Sequence, residues 1–247
     1  VLMLASTASA VLSWHACRTG RMGWWIALGG VLGLGMLTKY QIAISAFCVA
    51  AFWLSQRGWK DVGQRRGLLL AALLALMLFV PHLEWLRAHD FGPVGYALES
   101  SLGASLTGTE QIADVSNWLA DQLLNRALLA WVLLFLLYRW HRAVPPAEVT
   151  AQHAEHGSGK PDSARIFILC WGLLPLVFMA LVGLSAGSHL HLPWGTAFLL
   201  FAVPAAMEMT HASAHWERMS SSKATRIFVA LQVVLVSASL LTSHLGP

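Results

Sequence analysis

The stretch PHLEWLRAHDFGP, residues 81 to 93, gathers His82, Glu84, Arg87, His89 and Asp90 directly after the run Gly67 to Val80, which carries no charge. Two imidazoles and a guanidinium can neutralise a phosphate, and a carboxylate can accept a proton. That is the inventory of an enzyme working on a lipid-linked substrate at head-group depth, with Pro81 ending or kinking the preceding helix. The plainer alternative is that helix ends are polar, with Glu84 and Arg87 forming an i,i+3 ion pair worth a few tenths, ~0.3 kcal/mol.

Three further sites carry candidate chemistry. Lys39, with Tyr40 beside it, stands between two apolar runs, where an ammonium is costly unless it meets an anion such as a phosphate or snorkels to the interface. The segment SHLHLPW, 188 to 194, offers His189, His191 and Trp194 as contacts to a second substrate. Two histidines at i,i+2 can also chelate a divalent metal, but no third ligand stands near. Otherwise no cofactor is expected. Arg126, well inside an apolar run, is expected to pair with Asp121 or Gln122.

The elements that must position these groups follow from composition. Of 247 residues, 57% are hydrophobic and 11% charged, and the mean hydropathy is +0.61, so the chain has too few charges to cover a soluble surface. Apolar runs predict eight segments: 1 to 16, 24 to 38, 41 to 54, 67 to 83, 118 to 138, 166 to 184, 194 to 209 and 227 to 242. In lipid each must satisfy its own backbone, so the fold class is all-α, a polytopic transmembrane helical bundle. Cys17, Cys48 and Cys170 are isolated and read as packing residues. Gly29, Gly30, Gly33 and Gly35 flatten one side of the second helix for close packing.

Basic residues fix the expected topology. With a hairpin at Thr38-Lys39-Tyr40, one side receives Arg18, Arg21, Arg57, Lys60, Arg65, Arg66, Arg139, Arg142, Lys160, Arg165, Arg218, Lys223 and Arg226, and the other keeps Lys39, Arg87 and Arg126. Cytoplasmic loops retain Lys and Arg. A single bent helix over the second and third segments would destroy this segregation. Residues 84–117 then form an external loop with an interfacial segment, and 143–164 a cytoplasmic linker. The basic pI of about 9.3 reflects contact with anionic membrane lipid and not with nucleic acid.

The segment WWIALGGVLGLGMLTKYQIAI resembles a Gly-rich helix ending in Leu-Thr-Lys in bacterial membrane glycosyltransferases of the protein O-mannosyltransferase and aminoarabinose transferase type. PHLEWLRAHDFGPVGYALES is similar to their Pro-x-x-x-Trp segment followed by an Asp-Phe pair, and HLPWGTAFLLFAVPA to their late Trp-Pro-like helix start. The resemblance implies a GT-C fold in the bacterial inner membrane. It also implies transfer, with inversion, of a sugar from a polyprenyl-phosphate donor to a lipid, glycan or protein acceptor on the external face.

The same resemblance makes Lys39 and Arg87, helped by Tyr40, His82 or His89, the donor-phosphate candidates, and gives Glu84 and Asp90 to sugar hydroxyls or support of a base. It puts the main catalytic carboxylate in a first external loop that this sequence does not contain. The 247 residues therefore read as one transmembrane domain, the C-terminal part of a longer protein. The competing function is a lipid or small-solute transporter, which needs ionisable groups deep in its helices.

Overall fold

Charge-free runs have only their own backbone for hydrogen-bonding partners in an apolar surrounding, and helix is what they form here. The structure, a computed structural model, describes residues 1–97, 106–128, 130–132, 135, 163–186, 189–191 and 194–209, with single positions at 226, 229, 230, 233 and 237. The described elements are α1 (Leu2–Thr19), α2 (Met22–Thr38), a 3-10 turn (Tyr40–Ile42) leading into α3 (Ala43–Ser55), α4 (Val62–Ala88), α5 (Gly92–Ala97) and α6 (Gly108–Ala120). A π-helical turn (Asp121–Arg126) continues α6; then come α7 (Ser163–Ala186), a 3-10 segment (Thr196–Phe201) and α8 (Ala202–Met209). No strand occurs among the described residues.

Side-chain contacts give the helix directions. A Cβ on Gly67 would run into Trp25, one on Gly29 would stand 2.5 Å from the Ala71 carbonyl oxygen, and one on Gly33 would stand 2.9 Å from the Leu78 side chain. These pairs advance together along both chains, so α2 and α4 are parallel, and α3 must return between them. The turn at Lys39 is therefore a hairpin. Helix α1 runs with α3, as the Ser45–Ser6 hydroxyl bond (3.0 Å) and the Trp14–Phe52 ring contact (6.0 Å) require. Helix α7 opposes α3, because Ser163 bonds Gln56 at 2.8 Å near one end while Phe178 meets Phe47 nearer the other.

The result is a bundle with two chemically different ends. Arg18, Arg21, Arg57, Lys60, Arg65, Arg66 and Arg165 fall at the end where α1 and α3 finish and α2, α4 and α7 begin. That end is tied by Gln64, whose amide donates to the Cys17 carbonyl at 3.0 Å, and by the Arg18 guanidinium 5.0 Å above the Trp14 ring. Lys39 and Arg87 fall at the opposite end.

Helix α4, with 27 residues, rises about 40 Å, enough for a hydrocarbon core of about 30 Å. It and α7 are long and apolar enough to cross a membrane; α2, residues 40–55 and residues 196–209 are apolar but shorter. Gly67 and Ala71 bury one stripe of α4 against α2, whereas Leu69, Leu73, Leu76, Met77, Val80 and Leu83 are exposed. Lipid tails are as apolar as such a face, so close packing, and not hydrophobic burial, must hold α2 on α4 in a bilayer.

The structure bears on several expectations. Pro81 does not end the helix; α4 passes through it to Ala88, so Glu84 and Arg87 lie on its last turns and not in a loop. A proline removes one intrahelical bond, a loss that a long helix held on both sides can absorb. The segment 84–117 is largely helical where described, ending in α6, which begins at Gly108. Gly30 faces open space, because only Gly29 and Gly33, one turn apart, share the stripe against α4, while Gly35 meets Ile42. Residues 98–105, most of 143–164 and most of 227–242 lie outside the described residues, as do 129, 133, 134 and 136–138 of the fifth expected span, 118 to 138.

The start of α6 carries a capping box. The Glu110 carboxylate accepts from the Thr107 backbone N–H (3.0 Å) and from the Thr107 hydroxyl (2.8 Å). These bonds hold the Glu110 carboxyl below its ordinary pKa, the backbone N–H of Thr107 contributing most. A carboxyl with a depressed folded pKa adds stability above its unfolded pKa and loses it as pH falls through the folded one. Amide exchange at Glu110 and Gln111 is therefore expected to lose protection on acidification below the ordinary glutamate range, and Glu110→Gln should remove that pH dependence.

Candidate functional site

At the Lys39 end the backbone itself makes the opening. Helix α2 stops at Thr38, whose hydroxyl donates to the Gly35 carbonyl at 2.8 Å, and Lys39 is extended, with φ −155° and ψ 127°. The chain then closes a 3-10 turn, and Ile42 packs under Gly35. The break leaves a cavity of about 490 Å3 lined by Thr38, Lys39, Gln41, Thr196, Ala197 and the first residues of α1. Its lining includes an ammonium, an amide and two hydroxyls, with apolar side chains completing it.

Tyr40 turns toward α4 instead. Its hydroxyl and His82 Nε2 are 2.7 Å apart, which ties the hairpin to the end of α4. From there an aromatic column climbs the helix: His82 stacks on Trp85 (5.6 Å between ring centres), and Trp85 on His89 (4.4 Å), with His89 Nδ1 2.8 Å from the Trp85 carbonyl oxygen. The spacing of three and four residues puts these rings on one face. Glu84 and Arg87 are exposed and form no ion pair with each other among the described residues. Asp90 and Phe91 follow in left-handed backbone conformation (φ 51° and 53°), turning the chain into α5. Aspartate tolerates that region better than phenylalanine does.

The structure thus brings Tyr40 and His82 together beside Lys39. It does not place Glu84, Arg87, His89 or Asp90 on the wall of the Lys39 cavity. The expected grouping of all of them in one chamber rested on sequence adjacency, but α4 continues past Pro81 and carries its last turns beyond the hairpin.

His189, His191 and Trp194 are assembled by α6. Asp114 Oδ1 is 2.5 Å from His189 Nδ1, and its Oδ2 accepts from the Leu190 backbone N–H at 2.9 Å. Trp118 Nε1 donates to the His191 carbonyl at 3.2 Å, and the His191 and Trp194 rings are 5.0 Å apart. Gly195 is needed here, because a Cβ would collide with Gln122 and come 2.8 Å from the Trp118 ring. This anchored loop delivers Thr196 to the cavity. Among the described residues no three His, Cys, Asp or Glu side chains converge as metal ligands.

Sequence reasoning passed over Asp114 and Thr196. Asp114 sits in no motif, Thr196 does not stand out within HLPWGTAFLLFAVPA, and each acquires its place through a contact 70 or more residues away in the chain. Arg126 pairs with Asp121 at 2.6 Å, as its neighbourhood in the sequence suggests.

Residues 1–85 match the family model described as dolichyl-phosphate-mannose-protein mannosyltransferase. The matched stretch contains α1, α2, α3 and most of α4, and with them Lys39, Tyr40, His82 and Glu84. No curated protein and no solved structure matches the chain. The match points to a membrane glycosyltransferase of the GT-C type, and the long apolar helices α4 and α7 agree with residence in a membrane.

Proposed function

We propose that this protein is a multi-pass glycosyltransferase of the bacterial inner membrane that passes a sugar from a polyprenyl-phosphate donor to a lipid, glycan or protein acceptor on the external face. The observation that carries this reading is the cavity beside Lys39, built by a helix break inside the stretch that matches the mannosyltransferase family. The basic end of the bundle belongs in the cytoplasm, which puts the cavity at the outer leaflet.

In the reaction the acceptor oxygen attacks the anomeric carbon, the bond from that carbon to the phosphate oxygen breaks, and the lipid phosphate departs with the electron pair. The acceptor proton passes to a carboxylate. Attack opposite the leaving group inverts the anomeric centre. Charge develops on the departing phosphate, so a fixed ammonium such as that of Lys39 is worth more in the transition state than in the ground state. Tyr40 and His82 buttress the turn that holds Lys39, while His189, His191 and Trp194 border the acceptor side.

Transport predicts ionisable groups at mid-bundle. The middle turns of α2, α3, α4 and α7 contain no Asp, Glu, Lys or Arg, which favours chemistry at the surface. Purified protein in lipid vesicles, given polyprenyl-phosphate mannose labelled in the sugar and a mixed lipid and peptide acceptor pool, tests the reading. Release of polyprenyl phosphate in step with label transfer is the expected result. Movement of intact donor across the bilayer without cleavage would show a transporter instead.

A further inference from the structure

The turn Asp121–Arg126 is π-helical, an unusual state that breaks the regular ladder and is found disproportionately at functional sites. Its consequence is geometric. Residues five apart on an α-helix stand about 140° apart around the axis, so Asp121 could reach Asn125 but not Arg126. With the wider π turn Asp121 reaches both: Asn125 Nδ2 donates to Oδ1 at 3.2 Å, and Arg126 Nε donates to Oδ2 at 2.6 Å.

Because the carboxylate takes Nε, the outer edge of the guanidinium is left to point away from the helix. Arg126 Nη1 donates to Thr196 Oγ1 at 3.0 Å, and Thr196 lines the cavity that holds Lys39. A hydroxyl whose oxygen accepts from a guanidinium still has its own proton to give, and the cation polarises it as a donor.

We infer that Asp121, Arg126 and Thr196 form a relay that supplies the Lys39 cavity with a second, hydroxyl-borne donor for an oxyanion, so that the lipid phosphate, a diester in the sugar donor and a monoester once it has departed, is held between Lys39 and Thr196. Arg126 is a positioning residue in this arrangement, acting through Thr196, and the π turn exists to aim it. The inference rests on the glycosyltransferase reading for the identity of the anion and deepens it by naming the second contact.

The test uses the protein in lipid nanodiscs, with farnesyl phosphate as probe, farnesol as the uncharged control and inorganic phosphate as competitor. Thr196→Val and Arg126→Gln are each expected to weaken farnesyl phosphate binding by about tenfold, the usual scale of a lost hydrogen bond to a charged group. Thr196→Ser should restore it, and farnesol binding should not change. Because Arg126 acts through Thr196, the double variant should bind no more weakly than either single one. A merely structural role predicts additive losses shared by farnesol.

Full affinity in Thr196→Val, or additive losses, overturns the relay. If Lys39→Met loses binding while both relay variants keep it, the relay is wrong and the glycosyltransferase reading stands. If the wild-type protein fails to prefer farnesyl phosphate over farnesol, both are wrong. Displacement of the probe by inorganic phosphate at comparable concentration would make this a free-phosphate site and overturn the lipid head group as its ligand.

Discussion

Lys39→Met is expected to reduce sugar transfer at least ~100-fold, the scale seen when one preorganised group stabilising a developing negative charge is removed. The helix break at Thr38 and the extended Lys39 backbone put the lysine on the cavity wall without help from its own side chain, so methionine should occupy the same position and leave the fold intact. Methionine also keeps much of the apolar stem. The loss should therefore fall on turnover of the phosphate-linked donor while membrane insertion and thermal stability remain at wild-type levels. Lys39→Arg retains a charge on a longer, planar head and should recover part of the rate. The assay is transfer from polyprenyl-phosphate mannose in vesicles. Unchanged turnover in Lys39→Met would remove the cavity from the mechanism and with it the main support for a phosphate-linked donor.

The largest effect on stability is expected from Gly29→Leu. A Cβ at Gly29 would stand 2.5 Å from the Ala71 carbonyl oxygen and 2.8 Å from its Cα, and both are backbone atoms that cannot rotate aside. Helix α2 must therefore move off α4. Overpacking costs about 1–3 kcal/mol where side chains can adjust, and a clash with backbone should reach or exceed the upper part of that range. Gly30→Leu is the internal control, because a Cβ there meets nothing within 4 Å. Denaturation in mixed detergent micelles should separate the two variants clearly. Equal stability would mean that α2 and α4 do not pack in this register, and the Tyr40–His82 contact, which depends on that register, would go with it.

These two residues show what could be read before the structure. Glycines at 29 and 33 announce close approach of another helix, because in lipid only small residues let backbones come together. They do not say which helix approaches. That α2 meets α4 in parallel, with α3 returning between, is decided by side-chain packing along the whole length of both helices. Lys39 was conspicuous for a similar reason: a cation among apolar runs is costly, so its presence alone asks for a partner. Its neighbours on the cavity wall, Gln41 and Thr196, were not conspicuous at all.

The cluster from His82 to Asp90 shows the opposite case. Sequence adjacency suggested one polar chamber, but a helix spreads neighbouring side chains around its axis and along its rise. Only His82 is turned to the hairpin through Tyr40, while Trp85 and His89 continue the column above it. Arg126 was legible as an ion-pair partner because Asp121 is close in sequence, yet its contact with Thr196 was not, since a 3.6-residue period cannot announce a π turn.

What the sequence determined by itself is the helical class and the sorting of charge to the two ends of the bundle. Both follow from composition and local order, because a backbone in lipid has no other partner for its hydrogen bonds and cations avoid the apolar middle. Tertiary structure alone decided which helices pair, in which direction, and which groups share the cavity at Lys39. Those outcomes depend on atoms within ångströms of one another across distant parts of the chain, such as Ala71 under Gly29 and Thr196 beside Arg126, and no local pattern encodes such distances.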